Sequence, residues 1–141
     1  MREIEYRVWD EIEREMYIVE EINFPFKTAT VIKRKNERAL RVYFHTREVK
    51  LMQYIGSKDR NGVKIYEDDI IRHHSNKDKT DYIIKWHDAS FGFIARPIKE
   101  KPGRPHLNQA TMLSYEIVGN IYKNPELLRG GVKNDQKPRP L

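Results

Sequence analysis

Apolar and polar residues alternate with a period of two through most of the chain, in short runs separated by turn-forming residues. Ile4, Tyr6 and Val8 alternate with Glu3, Glu5 and Arg7, the signature of a half-buried strand. Trp9 interrupts that alternation and marks a bulge or a strand end. The following DEIERE (10–15) fits a helical stretch, since Ile12 and Met16 are four apart, or a wide polar hairpin into MYIVEEI (16–22). The hairpin is favoured because β-branched and aromatic residues flank it. In FPFKTATVIKR (24–34) Pro25 suits a strand entry or an edge, and KNERA (35–39) supplies a polar turn into LRVYFH (40–45). There Leu40, Val42 and Phe44 oppose Arg41, Tyr43 and His45, which predicts a second strand pair.

VKLMQYIG (49–56), the turn SKDRNG and VKIYEDDIIRHH (63–74) read as two strands around a tight loop. Asp59 can accept backbone N–H groups in that loop, and Asn61-Gly62 tolerates positive φ. Tyr82, Ile84 and Trp86 share one strand face, and Asp88, Ala89 and Ser90 lead to Phe91 and Phe93, the clearest hairpin in the chain. Residues 96–110 carry Pro97, Pro102, Gly103 and Pro105, and predict an exposed loop. Tyr115 to Tyr122 predicts a last strand with a glycine bulge at Gly119, and NPELL (124–128) a short helical turn, with Asn124 placed to cap it and Pro125 suited to its first position. Some seven or eight short strands without crossover helices predict an all-β, mainly antiparallel fold, either a small barrel or packed barrel-like sheets.

Composition narrows the functional classes. The chain has 141 residues, of which 38% are hydrophobic and 34% charged, the size and balance of a single domain with much of its charge on the surface. It contains no cysteine, which excludes disulfides, thiolate nucleophiles and cysteine-based zinc sites. No run approaches a membrane span and the first residues do not resemble a signal peptide, so the expected location is the cytoplasm, with no membrane partner. The net charge of +6 permits attraction to nucleic acid. About half of it, however, comes from Arg129, Lys133, Lys137 and Arg139 set against Asp135 in the final residues. The expected organisation is one β domain over residues 1–128 and a basic, unstructured tail over 129–141.

Residues 51–71, LMQYIGSKDRNGVKIYEDDII, resemble the YopX family of small proteins encoded by phages and prophages of Gram-positive bacteria. The resemblance rests on Met52, Gln53, Tyr54, Gly56, Lys58, Asp59, Asn61, Gly62, Ile65, Tyr66, Glu67, Asp69 and Ile70, with REIEYRVWD (2–10) and EIVGNIYKNPELL (116–128) resembling the family's opening and ending. Ile55 and Asp68 depart from it, standing where the family usually has threonine and glycine. Aspartate suits a left-handed backbone better than most residues do. The resemblance implies an all-β fold with an SH3-like barrel component, a bacterial host cell, and members that assemble into oligomers. It implies a mainly structural role for the matching residues.

The candidate chemistry is sparse. Glu67 and Asp69, alternate positions in a predicted strand, could join Asp59 and His73 as ligands for a hard cation, but the calcium-loop spacing is absent and a structural role is favoured. His73 and His74 would face opposite sides of an extended segment. His87-Asp88 and His106 form no recognisable triad with Ser57, Ser75, Ser90 or Ser114, and no phosphate-binding glycine loop is present. No catalytic, cofactor or metal site is therefore assigned. Arg72, Lys77, Lys79, Lys85, Lys99, Lys101 and Arg104, with Tyr82 or Trp86 as a stacking platform, form a candidate nucleic-acid surface, although core packing is the stronger reading for the two aromatics. The expectation is a non-enzymatic accessory protein acting through self-association or an unidentified protein partner, with RVWD and MYIVEEI as a candidate pairing edge. Nucleic-acid binding is the alternative, and a metal-dependent enzyme built on the acidic cluster a more remote one.

Overall fold

A computed structural model describes residues 2–33, 37–77 and 79–129. The predicted tail beyond Arg129, like the first two residues of the KNERA turn, lies outside the described residues. The chain divides into two compact units, Met1–Tyr54 and Ile55–Leu141.

The first unit is an antiparallel meander. Strands β1 (Tyr6–Asp10), β2 (Glu15–Asn23), β3 (Thr28–Ile32) and β4 (Ala39–Tyr43) follow one another, and the first residues of β5 (Val49–Lys58) return beside β1, giving the order β4-β3-β2-β1-β5. DEIERE forms the hairpin and not the helix: the Asp10 carboxylate accepts from Ile12 N (2.9 Å) and Glu13 N (3.2 Å), and Arg14 takes a φ of 55° to rejoin β2. The carboxylate caps one turn, and the left-handed backbone at Arg14 ends it before a helix can propagate. Trp9 is neither bulge nor terminus. It pairs in register with Met16 and Lys50 and is buried, as are its neighbours Arg7 and Val8. Burial on both faces of an interior strand removes the alternation that would otherwise mark it. The core of this unit gathers Val8, Tyr17, Ala29, Val31, Val42 and Val49.

Because β1 lies between β2 and β5, and β2 between β1 and β3, neither RVWD nor MYIVEEI is a free edge. Both sides of each strand are already paired. Among the described residues the first unit's edge is β4, which is bonded only to β3.

In the second unit β6 (Lys64–Tyr66) lies beside the end of β5, and β7 (Asp69–His73), β8 (Asp81–His87), β9 (Gly92–Pro97) and β10 (Tyr115–Asn120) form an antiparallel sheet in the order β10-β7-β8-β9. The predicted strand 63–74 is broken, because Glu67 and Asp68 make a turn in which Asp68 takes a φ of 69°. This is the position where the resemblance leads one to expect glycine. The β8–β9 hairpin turns through Asp88–Ser90, with Trp86 opposite Phe93. Ile65, Ile71, Tyr82, Ile84, Ala95, Met112 and Tyr115 form the core.

The fold is mainly antiparallel β, but among the described residues no sheet closes into a barrel. The four-stranded sheet ends on β9 and β10, which do not pair, so the barrel expectation gives way to open sheets. Residues 96–110 are only partly exposed loop. Pro97 still pairs with Tyr82 at the sheet edge, and a one-turn helix, α1 (Gln109–Met112), is capped by Asn108 and buries Met112.

The predicted bulge lies in β10, where the register shifts between Ile117 and Gly119, and the chain closes on a 3₁₀ turn, Pro125–Arg129. Asn124 does not use its side chain to cap that turn. Its Oδ1 accepts from Asn120 N (3.1 Å), which brings the side chain against Gly119. A Cβ on Gly119 would stand 2.6 Å from Asn124 Cγ. Gly119→Ala is therefore expected to cost about 1–3 kcal/mol in urea unfolding. An Asn124→Ala background should remove most of that cost, and an undiminished cost there would assign it to something other than this contact.

Candidate functional site

The SKDRNG turn is organised by one carboxylate. Asp59 Oδ1 accepts from Asn61 N (2.8 Å) and Val63 N (2.9 Å), while its Oδ2 accepts from Ile117 N (3.0 Å) in β10. Backbone bonds from Asp59 N to Val63 O (2.8 Å), Gly62 N to Asp59 O (3.0 Å) and Arg60 N to Tyr115 O (2.9 Å) complete the junction. Asp59 is 3% exposed and Gly62 takes a φ of 80°. A carboxylate saturated by backbone donors is a strong structural tie, and this one covers the side of β10 that β7 does not use.

A second junction forms around Asp68. Its Oδ1 accepts from Lys85 Nζ (2.8 Å) and its Oδ2 from Tyr122 OH (2.9 Å). Its own N–H donates to Ile84 O (2.8 Å), and Ile121 N donates to its carbonyl (3.0 Å). Next to it Asp69 Oδ2 accepts from Tyr66 N (2.8 Å), which closes the turn between β6 and β7.

These bonds account for the acidic cluster. Asp59 and Asp69 direct carboxylate oxygens at backbone N–H groups, Glu67 sits in the turn and not on a shared strand face with Asp69, and the described residues contain no group of three or more side chains able to hold a metal ion. His73 and His74 do not face opposite ways. β7 ends at His73, the chain turns, and the two rings stack at 4.6 Å and 29°. His74 is held below the usual histidine value by desolvation and by the neighbouring charges of Arg60 and His73, against an opposing pull from Glu116. His87 Nδ1 lies 2.8 Å from Ser90 Oγ within its own turn.

The predicted basic surface is dispersed. Arg72 makes a two-pronged pair with Asp81 (2.8 and 2.9 Å) that holds the guanidinium more firmly protonated. Lys85 pairs with Asp68, and Lys101 Nζ lies over the Tyr82 ring at 5.9 Å. Lys77 and Lys79 are exposed before β8, while Lys99 and Arg104 belong to the segment after β9. Tyr82 is buried and offers no stacking face. Trp86 is exposed, with Nε1 donating to Asp88 Oδ1 (2.7 Å) and its ring edge-on to Phe93.

The remaining signature positions are placed by packing and turns. Met52, Tyr54, Ile65, Tyr66 and Ile70 are buried, Gln53 pairs in register with Tyr6, and Gly56 takes a φ of 93°. The backbone of Lys58 is matched on both sides by a side chain: its N–H donates to Gln109 Oε1 (3.0 Å) and its C=O accepts from Gln109 Nε2 (2.9 Å). Gln109 thus acts as a one-residue strand partner. No local pattern marks it, because its role depends on a contact 51 residues away.

The YopX protein family model matches residues 5–129. The chain belongs to the YopX family. Membership makes it a phage- or prophage-associated protein. Protein EF1440 from Enterococcus faecalis is similar, with 25% identity and a TM-score of 0.64, covering 91% of this chain and 99% of that one. Protein yopX from Bacillus subtilis shares the fold at 24% identity and a TM-score of 0.57, covering 94% of this chain and 100% of its own. The search of the curated proteins finds no match. Among the described residues no helix is long and apolar enough to cross a membrane.

This YopX-family chain carries aspartate at a left-handed position and uses the side chain. Asp68→Ala should cost more than Asp68→Gly, by roughly 1 kcal/mol, because both lose the bonds to Lys85 and Tyr122 while only alanine also strains a positive φ. Chemical denaturation of the two variants measures the difference. Equal stabilities would mean that the backbone at residue 68 relaxes.

Proposed function

We propose that this phage-associated protein is a non-enzymatic interaction module that acts by adding a strand from a second copy of itself to the open edge β4. The observation carrying this reading is the state of that edge. Among the described residues β4 has a strand partner on one side only, and four of its five residues are exposed. Leu40 has the parity of the buried Val42 and yet is 41% exposed, where the sheet stops. An unpaired strand with apolar side chains directed to the core face is a template for another strand, which would cover Leu40 and satisfy the outer backbone groups.

Sequence favours an antiparallel pairing centred on Val42. That register sets each Arg41 across from the other copy's Tyr43, a cation–aromatic pairing, and avoids placing two arginines opposite one another. The face-to-face repetition is the isologous arrangement of a two-fold dimer. The dispersed cations and buried Tyr82 weigh against the nucleic-acid alternative, since Arg72, Lys85 and Lys101 already have protein partners.

Sedimentation velocity across a concentration series tests the proposal. The native chain of 16.9 kDa is expected to assemble reversibly, and Leu40→Lys to remain monomeric at every concentration with an unchanged circular dichroism spectrum. A native chain that stays monomeric throughout would sink self-association.

A further inference from the structure

Cross-strand pairing on the outward face of β2, β3 and β4 sets two parallel rows of side chains. One row is Glu21, Thr30 and Arg41, and the other is Asn23, Thr28 and Tyr43. With Ile22 and Phe26 these residues line a cleft of about 520 Å³ within the first unit. Two strand spacings separate the ends of each row, about 10 Å, and the rows lie about 7 Å apart along the strands. The footprint is that of a small ring-shaped ligand.

The aromatic walls are held in place. Phe26 is 74% exposed because the β2–β3 turn fixes it there: its N–H donates to Asn23 Oδ1 (3.0 Å), and Lys27, at a φ of 55°, donates from its N to Phe24 O (3.2 Å). Tyr43 is half exposed and braced edge-on by His45 at 5.8 Å. Across the floor a carboxylate and a guanidinium stand on opposite sides of Thr30. Neither makes a hydrogen bond or ion pair with another described residue.

Charge decides what fits. Glu21 and Arg41 cancel, so the cleft gives no net attraction to an anion or a cation. A nucleic acid strand brings phosphates that need unopposed Lys or Arg, and here the one arginine faces a carboxylate. An extended peptide would satisfy its backbone along the edge of β4, not across the face of the sheet. A neutral ligand with many hydroxyls suits all the groups together. Hydroxyls donate to Glu21, accept from Arg41 and do both with Thr28 and Thr30, while an apolar ring face lies on Tyr43 or Phe26.

We infer that this cleft binds a neutral glycan, with Glu21 and Arg41 gripping hydroxyls from opposite sides and Phe26 and Tyr43 packing against a sugar ring. The lining residues all belong to one copy, and Leu40 is not among them.

The full chain applied to a microarray of neutral, phosphorylated and sialylated glycans tests the assignment, with an amide ¹H–¹⁵N spectrum of each variant to establish that it is folded. Native protein is expected to retain neutral glycans, and soluble forms of the retained sugars should shift amides at 21–30 and 41–43. Glu21→Gln and Arg41→Met should each weaken binding by about tenfold or more, the loss of one charge-assisted contact, while Leu40→Lys keeps it. Retention of no neutral glycan by folded protein would overturn the inference. So would retention that is unchanged in both variants, or preference for phosphorylated glycans or for single-stranded nucleic acid printed on the same slide.

Discussion

One buried carboxylate, that of Asp59, joins a local turn to a strand more than fifty residues away. Its two oxygens accept three backbone N–H groups, from Asn61, Val63 and Ile117. A neutral side chain could fill the space, but few have two oxygens that can serve opposite sides at once. The bonds within the turn fix the path between β5 and β6, and the bond to Ile117 fixes β10 beside that path. Once β10 is placed, its bulge brings Gly119 against Asn124, and the following residues bring Tyr122 to Asp68. The second unit is thus tied together by aspartates that bond to the backbone or to single side chains, which leaves none of Asp59, Asp68 or Asp69 in the arrangement of a reactive cluster.

The first unit has a different economy. It is a plain meander with a small apolar core, and its informative features face outward: an unpaired strand edge at β4 and a lined cleft on the sheet face beside it. Such features point to recognition. Edge and face present different chemistry, backbone groups and Leu40 on one side, paired charges and aromatic rings on the other. The two uses meet at Arg41 and Tyr43, which line the cleft and, in a paired edge, would stand across from the second copy.

The strands were legible where a single face is buried. The hairpins around Asp88–Ser90 and DEIERE follow from alternation and turn chemistry, and the bulge in β10 from Gly119. Legibility failed where burial is two-sided or contacts are distant. Trp9 looks like an interruption because β1 is covered on both faces, and the break at Asp68 is masked because aspartate replaces the glycine that would announce it. The free edge, expected at RVWD and MYIVEEI, lies instead at β4, since pairing order is a property of the assembled sheet and not of any one strand's composition. The cleft lay hidden for the same reason: Glu21, Thr30 and Arg41 are unremarkable in sequence and become a row only through register. The signature around residues 52–70 did reveal the family, because its aspartates and glycines are constrained by backbone geometry that tolerates few substitutes.

The most direct test of this account is hydrogen exchange at individual amides in the native chain and in Asp59→Asn, whose carboxamide has one acceptor oxygen where the carboxylate has two. The amides of Asn61, Val63 and Ile117 should be protected together in the native protein. In the variant at least one side of the junction should exchange about tenfold faster or more, while Val8 in β1 keeps its native rate. Unchanged protection at all three amides would contradict the claim that this carboxylate holds the turn to the strand.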